Sequence, residues 1–423
     1  MATDLQLTSI SEKDLEQCLK CSICTVYCPV SSVTTLYPGP KHAGPDGERY
    51  RMKDRRFFDE DALKMCLNCK RCEVACPHGV QIGDIIMSAR MKYSRHSAGL
   101  RDFMLANTDL MGTVATKVAP IANYMTKAAP VKSILHNVMG IEKNRTFPDY
   151  ARQTFESWYR KEAAESQDKF EKQVSYFHGC YVNYNFPQLG KDLVKVMNAI
   201  GYGVKLLEKE RCCGIALITN NMPSQAMRQG KTNLKSMQLS VEQGRPVIST
   251  SSTCTFTMRS EYEHILHLDN EVAKNNLSLA TRFIYRLIEE GNVRLAFQKD
   301  FHMKVAYHTP CHMERMGWAV YSTNLIKMIP GVDFIMLDSQ CCGIGGTYGF
   351  KKENYSISQK IGEKLFHQIQ ESQVDCVATD CETCKWQIEM SVSTPVMNPI
   401  SILAQALDVE ETRRLNKKPD KQD

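Results

Sequence analysis

Cys18-Leu19-Lys20-Cys21-Ser22-Ile23-Cys24-Thr25-Val26-Tyr27-Cys28-Pro29 and Cys66-Leu67-Asn68-Cys69-Lys70-Arg71-Cys72-Glu73-Val74-Ala75-Cys76-Pro77 spell one pattern twice: Cys-x-x-Cys-x-x-Cys-x-x-x-Cys-Pro. Three thiolates at a three-residue period line one tight loop and can hold three irons of a cubane cluster. The fourth, just before the proline that ends the loop, characteristically ligates the other cluster of a pair. The spacing therefore predicts two 4Fe-4S clusters bound crosswise, one by Cys18, Cys21, Cys24 and Cys76, the other by Cys66, Cys69, Cys72 and Cys28. A chain with such a pair is expected to carry electrons.

Other uses of eight cysteines fit less well. A zinc site takes separated Cys-x-x-Cys pairs around one tetrahedral ion, and a third cysteine at the same period with a terminal proline does not follow that form. Disulfides need an oxidising compartment. Met1 to Lys20 holds no apolar run of signal-peptide length and carries Asp4, Glu12, Lys13, Asp14 and Glu16, so a reducing cytoplasm, bacterial or archaeal, is expected. The 18 cysteines among 423 residues exceed what packing requires and argue for metal; the +6 charge forms no long basic block and gives no sign of nucleic acid. No stretch reaches the ~20 apolar residues that span a bilayer.

No cysteine lies between Pro77 and Gly179, which separates a first cysteine block from a second. In the first, Asp14-Leu15-Glu16-Gln17, Asp59 to Met65 and Ile82 to Tyr93 read as helices. The Gly- and Pro-rich run Tyr37 to Arg49 reads as an ordered loop without regular structure. Helices beside each cysteine loop, and the long separation of Cys28 from Cys66, suit an α-helical ferredoxin better than a compact β-rich one. Lys70 and Arg71, inside the second string, are expected to face solvent or a partner. From Leu100 to Gly140, apolar residues such as Leu110, Val114, Ile121, Tyr124, Ile134 and Val138 alternate with Lys117, Lys127 and Lys132, and Pro120 and Pro130 divide the segment into short helices. Two readings stay open for it: a connector packed on its own domains, or an amphipathic surface for a partner subunit or the membrane face.

From Val174 the chain repeats itself. Val174 to Cys180 aligns with Val305 to Cys311, Cys212-Cys213-Gly214-Ile215 with Cys341-Cys342-Gly343-Ile344, and Val247 to Thr250 with Val377 to Asp380. Strand, helix, strand, helix, strand in each half predicts two related α/β lobes with parallel sheets and cysteines in the loops after strand ends. The second half offers Cys311, Cys341, Cys342, Cys381 and Cys384. The first offers Cys180, Cys212, Cys213 and Cys254, with Ser251 opposite Cys381. Adjacent cysteines suit a cluster, whose irons can meet diverging thiolates, better than one tetrahedral ion. A fourfold set leaves the first half open between a degenerate cluster site and an empty one. His178, His308 and His312 lie beside these cysteines as candidates for a hydrogen bond to sulfur or a proton relay; a histidine satisfied within its loop is the alternative.

The halves resemble the CCG cysteine-rich domains of heterodisulfide reductase B subunits, glycolate oxidase iron-sulfur subunits and lactate-utilisation proteins. The chain as a whole resembles more closely the family of C subunits of anaerobic glycerol-3-phosphate dehydrogenases. The runs that carry this include Tyr37-Pro38-Gly39-Pro40-Lys41, Asn68 to Pro77, Thr108-Asp109-Leu110-Met111-Gly112, Ser251 to Phe256, Tyr307 to Glu314 and Thr379 to Trp386. The resemblance implies an FAD-containing A subunit and a B subunit as partners, sn-glycerol 3-phosphate oxidation in the former, and onward electron delivery to membrane quinone from the cytoplasmic, inner face of the membrane, where the chain would sit peripherally. It also implies a non-cubane 4Fe-4S cluster in a complete lobe, here the second. Neither a flavin fingerprint nor a catalytic residue is found in this chain; Gly343-Ile344-Gly345-Gly346 belongs to the CCG loop. The alternative is an oxidoreductase subunit of the glycolate, lactate or heterodisulfide type with chemistry at the CCG cluster itself.

The expected organisation is thus α+β and multidomain. A two-cluster, α-helical ferredoxin-like domain (1–96) is followed by a helical connector (97–170), a first CCG lobe (171–300), a second (301–409) and a charged tail (410–423).

Overall fold

Two short apolar runs become the central strands of two sheets. Val174, Tyr176 and Phe177 of β1 (Lys172–Phe177), and Val305, Ala306 and Tyr307 of β5 (Met303–Tyr307), are fully buried, as strands covered on both faces must be. β1 pairs with β2 (Tyr202–Leu206) and β3 (Val247–Ser249), and β3 with β4 (Leu277–Leu279), giving the order β2-β1-β3-β4. β6 (Val332–Met336), β7 (Cys376–Ala378) and β8 (Val396–Met397) repeat it as β6-β5-β7-β8. All pairings are parallel, so helices cross over between the strands. The computed structural model describes residues 15–54, 60–94 and 98–417, and its architecture is α+β and multidomain.

The lobes share a core. Ile400, Leu403 and Ala404 of helix Pro399–Ala406 pack among Leu189, Leu193, Val196 and Met197 of helix Pro187–Ala199. Lys195 Nζ donates to the Ala404 carbonyl at 2.6 Å, and the Ser401 hydroxyl to Asp192 at 2.6 Å. The cysteine-rich N-terminal part is helical, with four-residue helices Ile23–Val26 and Arg71–Val74 closing the two loops and a longer helix over Ile82–Tyr93. It joins the second lobe in one core, where Leu67, Ile86 and Tyr93 meet Cys341, Tyr348 and Ile361. Leu15 and Glu16 are helical, whereas Asp14 and Asp59 lie outside the described residues.

The Gly- and Pro-rich run departs from the irregular loop that its composition suggests. A π-helical turn, His42–Asp46, leads into an α-helix over Gly47–Lys53. Buried side-chain bonds, one of them tertiary, make this stable. Arg51 pairs with Glu48 at 2.7 Å and donates to the carbonyls of Ala43 (2.8 Å) and Gly44 (3.3 Å), and the Tyr93 hydroxyl donates to Glu48 at 3.1 Å. Arg51 thus satisfies two carbonyls of the turn, and Tyr93 adds a partner from outside local sequence.

Four helices, Leu100–Ala106, Thr108–Lys117, Ala119–Lys127 and Ala129–Met139, form an arm. Pro120 and Pro130 sit in the first turns of the last two, where a missing N–H costs nothing. Leu110, Val114, Ile121, Tyr124, Ile134 and Val138 are exposed along this arm. Among the described residues no helix is long and apolar enough to cross a membrane. Residues from 410 continue a helix, Val409–Asn416, that buries Thr412; residues 418–423 lie outside the described part.

Candidate metal centres

The two N-terminal loops share a backbone feature that the cysteine spacing demands. Lys20 and Asn68, two residues after the first cysteine of each string, have φ of +59° and +55°; Ser22 and Lys70, one after the second, have +67° and +62°. Non-glycine residues in this region carry strain of order 1–3 kcal/mol each, retained where surrounding structure imposes it at functional sites. Here the two left-handed residues turn three side chains of each loop inward. Cys18, Cys21, Cys24 and Cys76 then line one small cavity, and Cys28, Cys66, Cys69 and Cys72 another. The first set lies at the surface, with Cys21 exposed. In the second, burial is the main force pushing up the Cys28 thiol, to about 11, with Cys69 next.

In the second lobe every candidate thiol sits at the C-terminal end of a parallel strand. Cys311 begins a helix after β5, Cys341 and Cys342 follow β6, Cys381 caps helix Glu382–Ser391 after β7, and Cys384 lies in its first turn. Gly343 has φ +88°, and a Cβ there would stand 2.1 Å from the Ser358 carbonyl oxygen, so the Cys-Cys-Gly turn admits no side chain at its third position. Cys342 Sγ lies 3.4 Å from Cys384 Sγ. His308 joins them: its ligand atom and those two sulfurs are all within 4.8 Å of one another.

The first lobe repeats the placement with a gap. Cys180, Cys212, Cys213 and Cys254 follow one another in contact, Cys180 to Cys212 and Cys213 to Cys254. Ser251, at the place of Cys381, caps its helix by accepting from the Cys254 N–H at 3.2 Å and donates to Glu382 of the second lobe at 2.9 Å. The arm reaches this site as well: Asp109 accepts from the Cys212 N–H at 2.8 Å. Burial first, then the Cys212 thiol, push the Asp109 carboxyl up to about 7.

The three histidines divide. His178 makes ion pairs with Glu210 (3.1 Å) and Glu156 (3.5 Å), which outweigh burial and hold it up to about 9. His312 bonds through Nε2 to the Asn68 carbonyl at 3.3 Å and stacks on Phe256, and burial lowers it to about 4. His308 is fully buried, and neither ring nitrogen has an oxygen or nitrogen partner; the ring reaches the Cys342 thiol. In the gapless alignment Phe177, not His178, occupies its position in the first lobe, and the strand registers agree. Only His308 is thus placed to serve a metal.

Of the surroundings expected for Lys70 and Arg71, solvent or a partner, solvent is overturned: both are packed beneath the lobes. Lys70 is fully buried, paired to Asp84, to Glu73 at 3.6 Å and to Glu261 of the first lobe at 3.4 Å. Arg315 of the second lobe pairs with the same Glu73 at 3.1 Å. Arg71 donates to Glu314 at 3.0 Å and Ser339 at 3.2 Å, and lies near Cys311, Cys341 and Cys69. Glu73 and Asp84 are local, but Glu261 and Glu314 come from lobes laid over the loop, more than 150 positions away, and local sequence carries no sign of that cover. Under this cover Cys69 contacts Cys311, which contacts Cys341. The second N-terminal thiol set and the second-lobe set therefore adjoin. Cys376, the remaining cysteine, is a core residue of β7 beside Met303 (3.5 Å).

The donor sets fit iron–sulfur clusters. Soft thiolates are gathered in groups, and His308 and the Tyr37 and Tyr348 hydroxyls beside the second set are buried without an oxygen or nitrogen partner.

Residues 14–80 match the 4Fe-4S dicluster domain family, and residues 174–259 and 305–389 each match the cysteine-rich domain. The C subunit of the anaerobic glycerol-3-phosphate dehydrogenase of Escherichia coli (strain K12) is 55% identical over 399 residues, covering 94% of this chain and all of that protein. The chain belongs to this C-subunit family. More distant similarity reaches lactate utilization protein A of Geobacillus kaustophilus, 28% identical over 49% of this chain and 87% of that protein. It also reaches the B subunit of a fumarate reductase (CoM/CoB) from Methanothermobacter marburgensis, 26% identical over 54% of this chain and 44% of that protein. These relatives share only part of the chain, whereas the C-subunit likeness spans the N-terminal part, the arm and both lobes. This C-subunit family member is an iron–sulfur protein.

Proposed function

We propose that the chain is the electron-transfer subunit of an anaerobic glycerol-3-phosphate dehydrogenase, passing electrons from an FAD-containing A subunit, with a B subunit, towards membrane quinone. The observation that carries this is the adjacency of thiol sets: an outer set at Cys18, Cys21, Cys24 and Cys76 with Cys21 exposed, an inner set at Cys28, Cys66, Cys69 and Cys72 with no exposed member, and the Cys69–Cys311 contact to the second lobe. Two 4Fe-4S clusters in the N-terminal sets, and a further non-cubane cluster in the second lobe held by Cys311, Cys341, Cys342, Cys381 and Cys384, would each accept and release single electrons. The protein's part is to hold the thiolates in file, to shield the inner two sets from water and to place counter-charges such as Arg71 beside them. The first lobe, with Ser251 at its fifth position, is read as a degenerate site.

The test is iron and sulfide analysis with electron paramagnetic resonance on anaerobically purified protein, then quinone reduction with and without the partner subunits. About eight irons from the N-terminal sets and about four from the second lobe are expected, with glycerol 3-phosphate-driven quinone reduction only in the complex. Zinc without inorganic sulfide would end this reading. Disulfide reduction by the isolated chain with a chemical reductant would favour chemistry at the lobes instead. His308→Phe, which installs the first lobe's residue, is expected to weaken metal retention in the second lobe about 10- to 100-fold. The N-terminal signals should persist.

The arm supports a peripheral place on the cytoplasmic membrane face. Ile121, Tyr124, Ile134 and Val138 are exposed beside Lys117 and Lys132, the composition of a helix lying in a lipid headgroup layer. Anionic liposomes should sediment the wild-type protein but not Ile121→Glu/Val138→Glu, while both retain full iron. Equal sedimentation of the two would remove the arm from the membrane.

A further inference from the structure

Tyr37 of the N-terminal part and Tyr348 of the second lobe lie buried in one core with Cys28 and Cys72, at 3% and 6% exposure; neither hydroxyl has an oxygen or nitrogen partner, and that of Tyr37 reaches the Cys66 thiol. A buried hydroxyl left unpaired is costly, so two at one place call for a physical reason. Their surroundings supply it. All four thiols of the second N-terminal set, Cys66, Cys28, Cys72 and Cys69, act on the Tyr37 hydroxyl, and Cys66 and Cys28 act on that of Tyr348. Among the described residues the first set has no buried phenol: its cavity is lined by Gln17, Lys20, Ser22, Lys41 and His78, the Thr25 hydroxyl bonds to Cys24, and Tyr27 on its loop is exposed.

The geometry points to Tyr37 and Tyr348 as hydrogen-bond donors to the sulfurs of the cluster held by Cys28, Cys66, Cys69 and Cys72, setting its potential. The inference rests on the reading of that site as a 4Fe-4S centre. A cluster's potential depends on its charge, its exposure and the hydrogen bonds to its sulfurs. Reduction adds a negative charge, and burial opposes added charge. The second set has no exposed thiol, two being buried and two half-buried, whereas the first is exposed at Cys21. Burial alone would therefore make the second cluster the harder to reduce and hold electrons back at the first. Two phenol donors stabilise the added charge on sulfur while bringing no net charge of their own, and they raise the potential of the inner centre. Tyr348 arrives from the second lobe, seven residues after Cys341, so one donor is present only when that lobe is docked on the N-terminal part. These are positioning residues for electron transfer; neither needs to lose its proton.

The test is a redox titration, followed by electron paramagnetic resonance, of anaerobically purified full-length Tyr37→Phe, Tyr348→Phe and the double variant. Each single variant is expected to lower the midpoint potential of one ferredoxin-type cluster, the double variant by about the sum of the two shifts. The other cluster should titrate as in wild type, and Tyr27→Phe should move neither. Unchanged potentials at full iron content would overturn the inference. Should a variant load iron poorly, difluorotyrosine incorporated into the unmutated sequence serves the same end: its more acidic hydroxyls should raise the midpoint of the same cluster, and no shift would equally overturn the proposal. Absence of a second cubane signal and of its inorganic sulfide contradicts the functional reading itself, so the two failures are distinct.

Discussion

Cys28→Ala is expected to abolish the cluster at the second site, although Cys28 belongs to the first string. Cys28 lines a cavity with Cys66, Cys69 and Cys72, while Cys76, from the second string, lies with Cys18, Cys21 and Cys24. A thiolate lost from a four-cysteine site leaves an iron without its ligand in a buried place where water cannot replace it. About four irons per chain should therefore disappear, and electron delivery beyond the first site should fall to background. Cys76→Ala should do the reverse, removing the exposed cluster and preserving the inner one. Iron analysis and the spectra of the remaining cluster distinguish the two variants. Loss of the Cys18-Cys21-Cys24 signal in Cys28→Ala would contradict the crossed assignment.

Lys70→Met is expected to destabilise the protein by about 3–5 kcal/mol, the range for removing one partner of a buried ionic group. Burial alone would depress the Lys70 ammonium, but Asp84, Glu73 and Glu261 together hold it well above the ordinary lysine range. Asp84 in turn is lowered to about 2: burial opposes ionisation, yet Lys70 and then His264 prevail. Without the ammonium, Arg315 still serves Glu73 and His264 still serves Asp84, but Glu261 keeps only neutral donors, the Asn68 amide at 2.5 Å and the Thr257 hydroxyl at 3.5 Å. Adding Glu261→Gln to Lys70→Met should therefore recover part of the loss, because it removes the most isolated charge. The thermal midpoint is the measurement. A Lys70→Met midpoint within a degree of wild type would mean that the three carboxylates do not depend on this lysine.

The candidate sites were legible in unequal measure. Cysteine spacing is a local property, and it carried the grouping expected for the eight N-terminal thiols as well as the repeat of the lobes, whose strands β1–β3 and β5–β7 recur in matching register. Ile82–Tyr93 was readable as a helix because its apolar pattern is its own. The run from Tyr37 to Arg49 was not, because Glu48, Arg51 and Tyr93 stabilise a helical turn that glycine and proline alone would not form. Solvent was misread as the surroundings of Lys70 and Arg71 for the same reason. A lysine and an arginine on a loop suggest solvent, and only the lobes bring Glu261, Glu314 and Ser339 to them. Tyr37, Tyr348 and Asp109 gave no signal at all, since nothing local distinguishes a tyrosine beside sulfur from one in any core.

What the doubled cysteine string determined by itself was the kind of chemistry: thiolates at that period leave few alternatives to iron and sulfide, and the CCG repeat dictated two parallel-sheet lobes. Which thiol set meets which, and what surrounds each, was decided by tertiary structure. The Cys69–Cys311 contact, the burial of Lys70 under both lobes and the arrival of Tyr348 beside Cys66 join residues some 190 to 280 positions apart. Ligand chemistry is written in neighbours along the chain. Burial, counter-charge and the order of centres depend on surfaces that exist only once the lobes have closed over the loop.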